Sequence, residues 1–471
     1  MTARLAAPGA RLIEASSGLV LEGAQLATRI DGVAAELESL PPGAVFTSAE
    51  STAAAALRIL GAWTARRPVL PVDPSCGDPA FEDLLTRFRP AILTGLGEEQ
   101  LTRLGHRAGY RVAQLPLLGP SLVRTVESTP SPHPELAVLL ATSGSTGQPK
   151  LVRLSRSGVV ANAEAIAGAL AIGADSVAAT TLPLFYSYGF SVLTSHLRAG
   201  ATVVLADGDV TGRALWSAVD THGVTTLPLV PSQLEMLRRL RWRPERHPRI
   251  RSLTAAGGRL RDDTALHFHA LLSASGGRLS VMYGQTEAGP RIAILPPEAL
   301  EKKLGSVGPA IAGVRLSIRL ADGTETVEPG LSGEVICRGP GVMMGYADEA
   351  LDLAEPDALN GTLRTGDLGR LDEDGCLWLS GRISRIGKVF GIRVDLDAVE
   401  RTLAAEGPVA ALAVDDTIRI WIQGPEGRGA ESAQHVADSL RVPPSGVDVR
   451  FIDLLPTLPN GKTDYHALEA L

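Results

Sequence analysis

Behind the apolar run Leu136-Ala-Val-Leu-Leu140 comes Ala141-Thr-Ser-Gly-Ser-Thr-Gly-Gln-Pro-Lys150, a stretch of hydroxyl side chains, glycines, a proline and a lysine. A loop of this kind leaving a strand can aim consecutive backbone N–H groups and hydroxyls at phosphate oxygens, and a terminal lysine adds a cation. The Walker A loop does the same with Gly-Lys-Ser/Thr. Here Lys150 follows Pro149 and precedes Leu151, which excludes that class. On composition alone the competing reading is an ordinary connection. Further along, Tyr283-Gly-Gln-Thr-Glu287 sets a ring, a hydroxyl and a carboxylate within five residues. Singly, Tyr283 reads as a core aromatic and Glu287 as a solvated loop acid. Asp367 after Gly366 is a common turn pattern, and Lys462 in Pro459-Asn-Gly-Lys462 is an ordinary surface-turn lysine.

Positioning such groups takes a large scaffold. The chain has 471 residues, more than one ordinary core accommodates, so two or more domains are expected. Hydrophobic content of 45% with 21% charged residues describes a globular chain rather than a disordered one. A net charge of −7 argues against nucleic-acid binding by phosphate neutralisation. Cys76, Cys337 and Cys376 are far apart and lack CxxC spacing, supporting neither a zinc site nor a disulfide framework. The N-terminus carries no secretory-type apolar core and no run is long enough for a membrane span, so a cytoplasmic protein is expected.

Short apolar runs at Ala44–Phe46, Val69–Val72, Ala91–Leu93, Ala178–Leu182 and Ala201–Leu205 read as buried strands. They alternate with helical patterns at Ser51–Thr64, Val159–Leu170 and Arg213–His222, the signature of parallel sheets covered by helices. From Leu304 the texture becomes Gly-punctuated β runs (Val314–Leu320, Gly333–Arg338, Cys376–Ser380), predicting an antiparallel or barrel-like part. A compact tail follows: helix Leu396–Ala405, strand Ile418–Gln423, helix Ser432–Leu440 and strand Val447–Leu454. The expected fold is α/β: a large multi-sheet domain over residues 1–383, then a small mobile α+β domain over residues 384–471.

The order Ser143-Gly-Ser-Thr-Gly-Gln-Pro-Lys150 resembles the phosphate loop of adenylate-forming enzymes, the superfamily of acyl-CoA synthetases, peptide-synthetase adenylation domains and luciferases. The superfamily's later motifs have counterparts in the same order: Val281-Met-Tyr-Gly-Gln-Thr-Glu-Ala288, Leu363-Arg-Thr-Gly-Asp-Leu368, Gly381-Arg382 with Lys388 to Arg393, and Leu458-Pro-Asn-Gly-Lys462. Leu60–Trp63 with Leu70–Pro74, Leu184–Gly189 and Gly305–Gly308 are weaker matches between them. The resemblance thus covers nearly the whole chain.

It implies an acid activated by ATP as its adenylate with release of pyrophosphate, then transferred to CoA or a carrier-protein thiol. By that resemblance Thr142, Ser143, Gly144, Ser145, Thr146, Gly147 and Lys150 hold the β- and γ-phosphates, with glycines permitting close backbone approach. Tyr283, with Gly284 and Gln285, packs on the adenine, beside the strand end Ala256-Gly257-Gly258. Thr286 bonds the α-phosphate, and Glu287 holds Mg²⁺, a hard cation suited to carboxylate. Asp367 accepts from the ribose hydroxyls, Arg382 meets ribose or phosphate, and Lys462 is the catalytic lysine. The acid pocket falls to Tyr186, Ser187, Tyr188, Gly189, the segment Val230–Gln233 with Pro231 and Ser232, and Gly257. Its two tyrosines favour a small or aromatic acid over a long chain.

The chain departs from the family pattern at several positions. Tyr186 stands where many members have His, Leu151 where Gly is usual, and Ser384 where the hinge pivot is normally Asp. Arg385 follows the pivot, and Gly387 precedes Lys388 where Ile is usual. Together, Tyr-Ser-Tyr-Gly, Met-Tyr-Gly-Gln-Thr-Glu-Ala and Lys-Val-Phe-Gly-x-Arg resemble compact bacterial ligases of polysaccharide or secondary-metabolite pathways. Three functions stay open: a carboxylate–CoA or carrier-protein ligase; an enzyme activating another acid such as nitrite, to diazotise an amine without thiol transfer; and a silent nucleotide or acyl sensor. The Arg-dense run Arg238-Arg-Leu-Arg-Trp-Arg243, extending to Arg251, reads as a solvated helix face or as a contact for CoA or an acidic carrier protein. His267 and His269 read as an ordinary helix pair rather than as metal ligands.

Overall fold

The computed structural model describes residues 4–105, 109–126, 131–142, 150–206, 208–389, 392–414, 417–425, 427, 429–440, 443–458 and 462–471. The architecture is mixed α/β. Two eight-stranded sheets dominate, and their central strands, such as Val45–Ser48, Val69–Val72 and Thr202–Leu205, are buried on both faces. One orders its strands Gly345–Ala347, Lys150–Ser155, Leu136–Thr142, Val69–Val72, Val45–Ser48, Ile92–Thr94, Gly119–Arg124 and Tyr110–Leu115. The other runs Arg291–Leu295, Arg278–Gly284, Ser252–Ala255, Thr226–Leu229, Val177–Ala179, Thr202–Leu205, Arg11–Glu14 and Leu19–Glu22.

The central pairs of both sheets are parallel and the outer ones antiparallel. Helices cross between the parallel strands, as the alternating pattern predicts. Their ends carry local stop and start chemistry. Thr52 and Ser155 cap Ala53–Thr64 and Arg156–Ala169 by accepting from Ala55 N at 3.2 Å and Gly158 N at 3.0 Å. Gly223, at φ +64°, closes Arg213–His222 in the left-handed conformation that a side chain disfavours.

Predicted and observed elements agree closely at Val69–Val72 and Arg213–His222. The strand expected over Ala178–Leu182 is confined to Val177–Ala179. Beyond it the Thr181 hydroxyl donates to the Pro228 carbonyl, and Pro183 has no N–H to offer a ladder. The Gly-punctuated stretch forms a five-stranded sheet ordered Glu325–Thr326, Arg315–Arg319, Ser332–Arg338, Thr362–Leu371 and Leu377–Arg382.

The chain divides into two compact units: Met1–Arg315 with Cys337–Leu363, and Leu316–Ile336 with Arg364–Leu471. In the first, one core packs Phe46, Phe81, Phe88 and Leu93, and another Leu227, Leu253, Phe268 and Leu272. The second ends in a three-stranded sheet of Val409–Val414, Thr417–Gln423 and Val447–Ile452, with helices Leu396–Thr402, Gly429–Leu440 and Tyr465–Glu469. Its core gathers Val394, Leu403, Ile418, Ile420 and Val436. Among the described residues no helix is long and apolar enough to cross a membrane.

Candidate active site

Leu136–Thr142 and Lys150–Ser155 are antiparallel neighbours, with Thr142 opposite Lys150. The hydroxyl- and glycine-rich stretch is therefore the connection between two strands that register holds together at its mouth. Ser143, Gly144, Ser145, Thr146 and Gly147 lie outside the described residues. Thr142 and Lys150 are half-buried at its two ends.

The strand Gly345–Ala347 pairs with Lys150–Ser155 on the other side, Tyr346 opposite Val152. Arg153, buried in the same strand, donates to the carbonyls of Glu355, Met344 and Pro356 and fastens this return segment. Tyr346 is thereby set beside two predicted site residues. The Lys150 ammonium lies 5.6 Å from the centre of the Tyr346 ring. The Tyr346 hydroxyl donates to Glu287 Oε1 at 2.9 Å. Burial, and then the Glu287 charge, raise the Tyr346 pKa, so the phenol stays protonated and donating. Nothing in the sequence motifs points to Tyr346; its link to Glu287 spans 59 residues and exists only after sheet formation.

Tyr283 and Gly284 end the strand Arg278–Gly284, and Thr286–Ala288 form one 3₁₀ turn directly after it. Tyr283 is buried, while Gly284, Gln285, Thr286 and Glu287 are half-buried. The Glu287 carbonyl accepts from Met343 N at 2.9 Å, and the Thr286 hydroxyl reaches Ser187 Oγ at 3.0 Å. Ser187 opens the helix Ser187–Arg198, so this bond joins the Tyr283–Glu287 motif to the predicted acid pocket.

In that pocket Tyr186 and Tyr188 meet edge to face, ring centres 6.4 Å apart. The Tyr188 hydroxyl is 2.7 Å from Thr254 Oγ1 and donates to Thr254 O at 3.0 Å. Burial pushes the Tyr188 phenol up to about 12 and raises Tyr186 as well, so both stay neutral near pH 7. Gly189 has no room for a side chain, because a Cβ there would collide with the Leu182 and Pro183 carbonyls. Gly257 sits at φ +90°, and a Cβ there would lie 2.6 Å from the Tyr186 hydroxyl oxygen. Ala256 is buried, Pro231 half-buried, and Ser232 and Gly258 exposed.

Within the second unit, Asp367 and Arg382 face each other across the antiparallel strands Thr362–Leu371 and Leu377–Arg382. Asp367 is 4% exposed and accepts from Arg382 Nε at 2.5 Å. Ser384 is exposed in the 3₁₀ turn Ile383–Arg385. Lys462 is exposed, and its carbonyl accepts from Leu458 N at 2.8 Å beside the Thr457–Thr463 bridge. Of the Arg-dense run, Arg238 donates to Asp263 at 2.8 Å, while Arg239, Arg241 and Arg243 are exposed. His269 is 3.8 Å from Glu301, and His267 packs edge-on against Phe268.

The sequence profile of the AMP-binding enzyme family matches residues 12–347, and the chain belongs to that family, within the adenylate-forming superfamily. An indoleacetate–CoA ligase of Aromatoleum aromaticum is 34% identical over 295 residues, covering 61% of this chain and 56% of that protein. The 4-coumarate–CoA ligase 5 of Oryza sativa subsp. japonica is 29% identical over 357 residues, covering 70% of this chain and 66% of that protein. The chain thus spans less than two thirds of the length of these curated relatives. Among solved structures, ATP-bound MatB from Rhodopseudomonas palustris superposes with a TM-score of 0.81 at 22% identity, covering 100% of this chain and 99% of that one. The o-succinylbenzoate CoA synthetase MenE of Bacillus subtilis, with its acyl-adenylate OSB-AMP, gives 0.76 at 22% identity, covering 97% and 94%. At that identity the structural likeness speaks for the fold alone.

Proposed function

We propose that the protein activates a carboxylic acid with ATP and Mg²⁺, releases pyrophosphate, and passes the acyl group to the thiol of CoA. The observation that carries this reading is the arrangement around Tyr346. One ring is shared between the Lys150 ammonium and, through its hydroxyl, the Glu287 carboxylate. A fixed cation and a fixed carboxylate at these two positions suit a metal–triphosphate.

Among the described residues no group of three or more His, Cys, Asp or Glu side chains is gathered as a metal cage. The donor set fits Mg²⁺ nonetheless, because that ion takes one or two protein carboxylates and completes its shell with phosphate oxygens and water. Glu287 would hold it, and when bound it would neutralise phosphate charge. Lys150 supplies a second positive charge at the same end. Thr286, fixed by Ser187, presents its hydroxyl to the α-phosphate. In the second unit Asp367, held by Arg382, is suited to accept from ribose hydroxyls, and Lys462 is the lysine that the family resemblance assigns to the chemistry.

In the first half-reaction a carboxylate oxygen forms a bond to the α-phosphorus while the bond to pyrophosphate breaks. In the second, a thiol sulfur attacks the acyl carbon and AMP leaves with the bonding pair, the thiol proton passing to solvent. Positioning and charge neutralisation supply most of the acceleration in such displacements. The curated CoA ligases among the relatives support the thiol step. The test is pyrophosphate release over a panel of carboxylic acids, with and without CoA. Acid-dependent release with CoA consumption is expected. Silence with every acid while ATP still binds would overturn the proposal.

A further inference from the structure

Six arginines are buried among the described residues: Arg58, Arg67, Arg124, Arg153, Arg156 and Arg291. Five of them donate to at least one acceptor. Arg58 reaches Thr47 and Glu50, Arg67 the carbonyls of Gly43, Leu37 and Pro41, and Arg124 that of Arg89. Arg153 reaches three carbonyls and Arg156 that of Trp63. Arg291, 3% exposed, differs from all of these. Its Nε is sealed from solvent without a partner, as are Arg153 Nε and Arg156 Nε and Nη2, but only for Arg291 is there no hydrogen bond or ion pair from any guanidinium nitrogen among the described residues.

The backbone of Arg291 is firmly held. It opens the strand Arg291–Leu295 opposite Gly284, the residue after Tyr283. Asn162 grips its peptide groups from both sides, Oδ1 accepting from Arg291 N at 3.2 Å and Nδ2 donating to Arg291 O at 2.9 Å. The guanidinium carbon stands 4.7 Å from the centre of the Tyr188 ring. That stacking offsets only part of the desolvation of a buried cation. Burial lowers the Arg291 pKa, and the neighbouring groups that favour its charge are Tyr188 and Tyr186. Neither tyrosine can serve as its counterion at neutral pH, since burial keeps both phenols protonated. The molecule therefore holds a desolvated, unpaired guanidinium against the two tyrosines of the acid pocket. A planar carboxylate is the group that matches such a fork.

We propose that the acid is a dicarboxylic acid, one carboxylate entering the reaction and the other pairing with Arg291. This rests on the adenylating function proposed above. A monocarboxylic acid would leave the cation unpaired, which makes the site selective against it.

The test uses the full chain, its Arg291→Met variant, and aliphatic and aromatic diacids each matched with its own monoamide (glutarate with glutaramate, terephthalate with 4-carbamoylbenzoate). Two readouts are taken: acid-dependent pyrophosphate release, and the shift in Tm on adding acid without ATP. The wild type is expected to favour diacid over monoamide by about 30-fold or more in kcat/KM, the scale of a charge-assisted pair. Arg291→Met should erase that preference while leaving monoamide turnover within about threefold of wild type. An ATP-induced Tm shift in the variant shows that it folds; Arg291→Lys, expected to keep part of the preference, replaces it otherwise. Equal use of diacid and monoamide by the wild type would overturn the inference, as would an equal loss of both in the variant. If no acid releases pyrophosphate, yet diacids raise the Tm of the wild type and not of Arg291→Met, the diacid site stands and the adenylating function falls. With neither release nor a Tm shift, the diacid site is refuted.

Discussion

The Tyr346 hydroxyl and the Glu287 carboxylate form a 2.9 Å hydrogen bond that fixes the one acid of the Tyr283–Glu287 motif. Tyr346→Phe removes the bond and keeps the ring under Lys150. A hydrogen bond to a charged group at a half-exposed site contributes about 1 kcal/mol, so the Mg²⁺ half-saturation for pyrophosphate release should rise about fivefold. The maximal rate at saturating Mg²⁺ should change little. An unaltered Mg²⁺ titration would show that Tyr346 does not position Glu287.

Lys462 is exposed beside the Thr457–Thr463 bridge. Lys462→Ala should lower pyrophosphate release by about 10²–10³-fold, the scale of losing one transition-state donor, with ATP affinity nearly unchanged. Isotope exchange between pyrophosphate and ATP, followed alongside ATP binding, separates the two effects. Normal release in this variant would remove Lys462 from the chemistry.

Gly257 is held at φ +90° with the Tyr186 hydroxyl 2.6 Å from where a Cβ would stand. Gly257→Ala should destabilise by about 1–2 kcal/mol through the left-handed backbone. By displacing the Tyr186 ring it should also raise KM for the acid about tenfold, with little change in KM for ATP. Adding Tyr186→Phe removes the clashing oxygen and should recover part of the acid KM. No recovery would mean that backbone strain alone is responsible.

His196 is buried in the helix Ser187–Arg198, with Nδ1 2.9 Å from the Val192 carbonyl oxygen and Nε2 sealed without a partner. Burial pulls its pKa down to about 4. An unfolded chain protonates this imidazole near its ordinary value of about 6.5, so the unfolded state gains protons first as the pH falls. Stability from this group is complete above that value and is lost as the pH drops toward 4. By pH 5 the loss amounts to about 2 kcal/mol. The difference in unfolding free energy between pH 7 and pH 5, read from urea titrations, should shrink by about that amount in His196→Met. An equal pH dependence in wild type and variant would exclude His196 as its source.

The alternation of apolar strands and amphipathic helices was readable because buried parallel strands admit few polar residues, and Val69–Val72 and Arg213–His222 emerged with the expected bounds. The Tyr283–Glu287 motif was legible as a unit because its residues are adjacent in sequence, and they fall on one strand end and the turn after it. Partnerships closed by the sheet were not. Tyr346 lies in a short Gly-flanked run with no periodicity, and only its pairing with Lys150–Ser155 brings it to Glu287. Arg291 opens an apolar strand, where composition suggests a solvated end residue, since arginine is rarely fully buried. The strand Val409–Val414 also escaped the reading; its burial depends on pairing with Thr417–Gln423.

Asn162 grips the peptide groups of residue 291 and leaves the side chain alone. Strand register beside the Tyr283–Glu287 motif is therefore independent of what projects from position 291. On the diacid proposal, a change of residue there would alter the acid preference while the Asn162 bonds to the backbone stay in place. Strand register and the proposed acid preference then rest on different atoms of one residue, its peptide groups and its guanidinium.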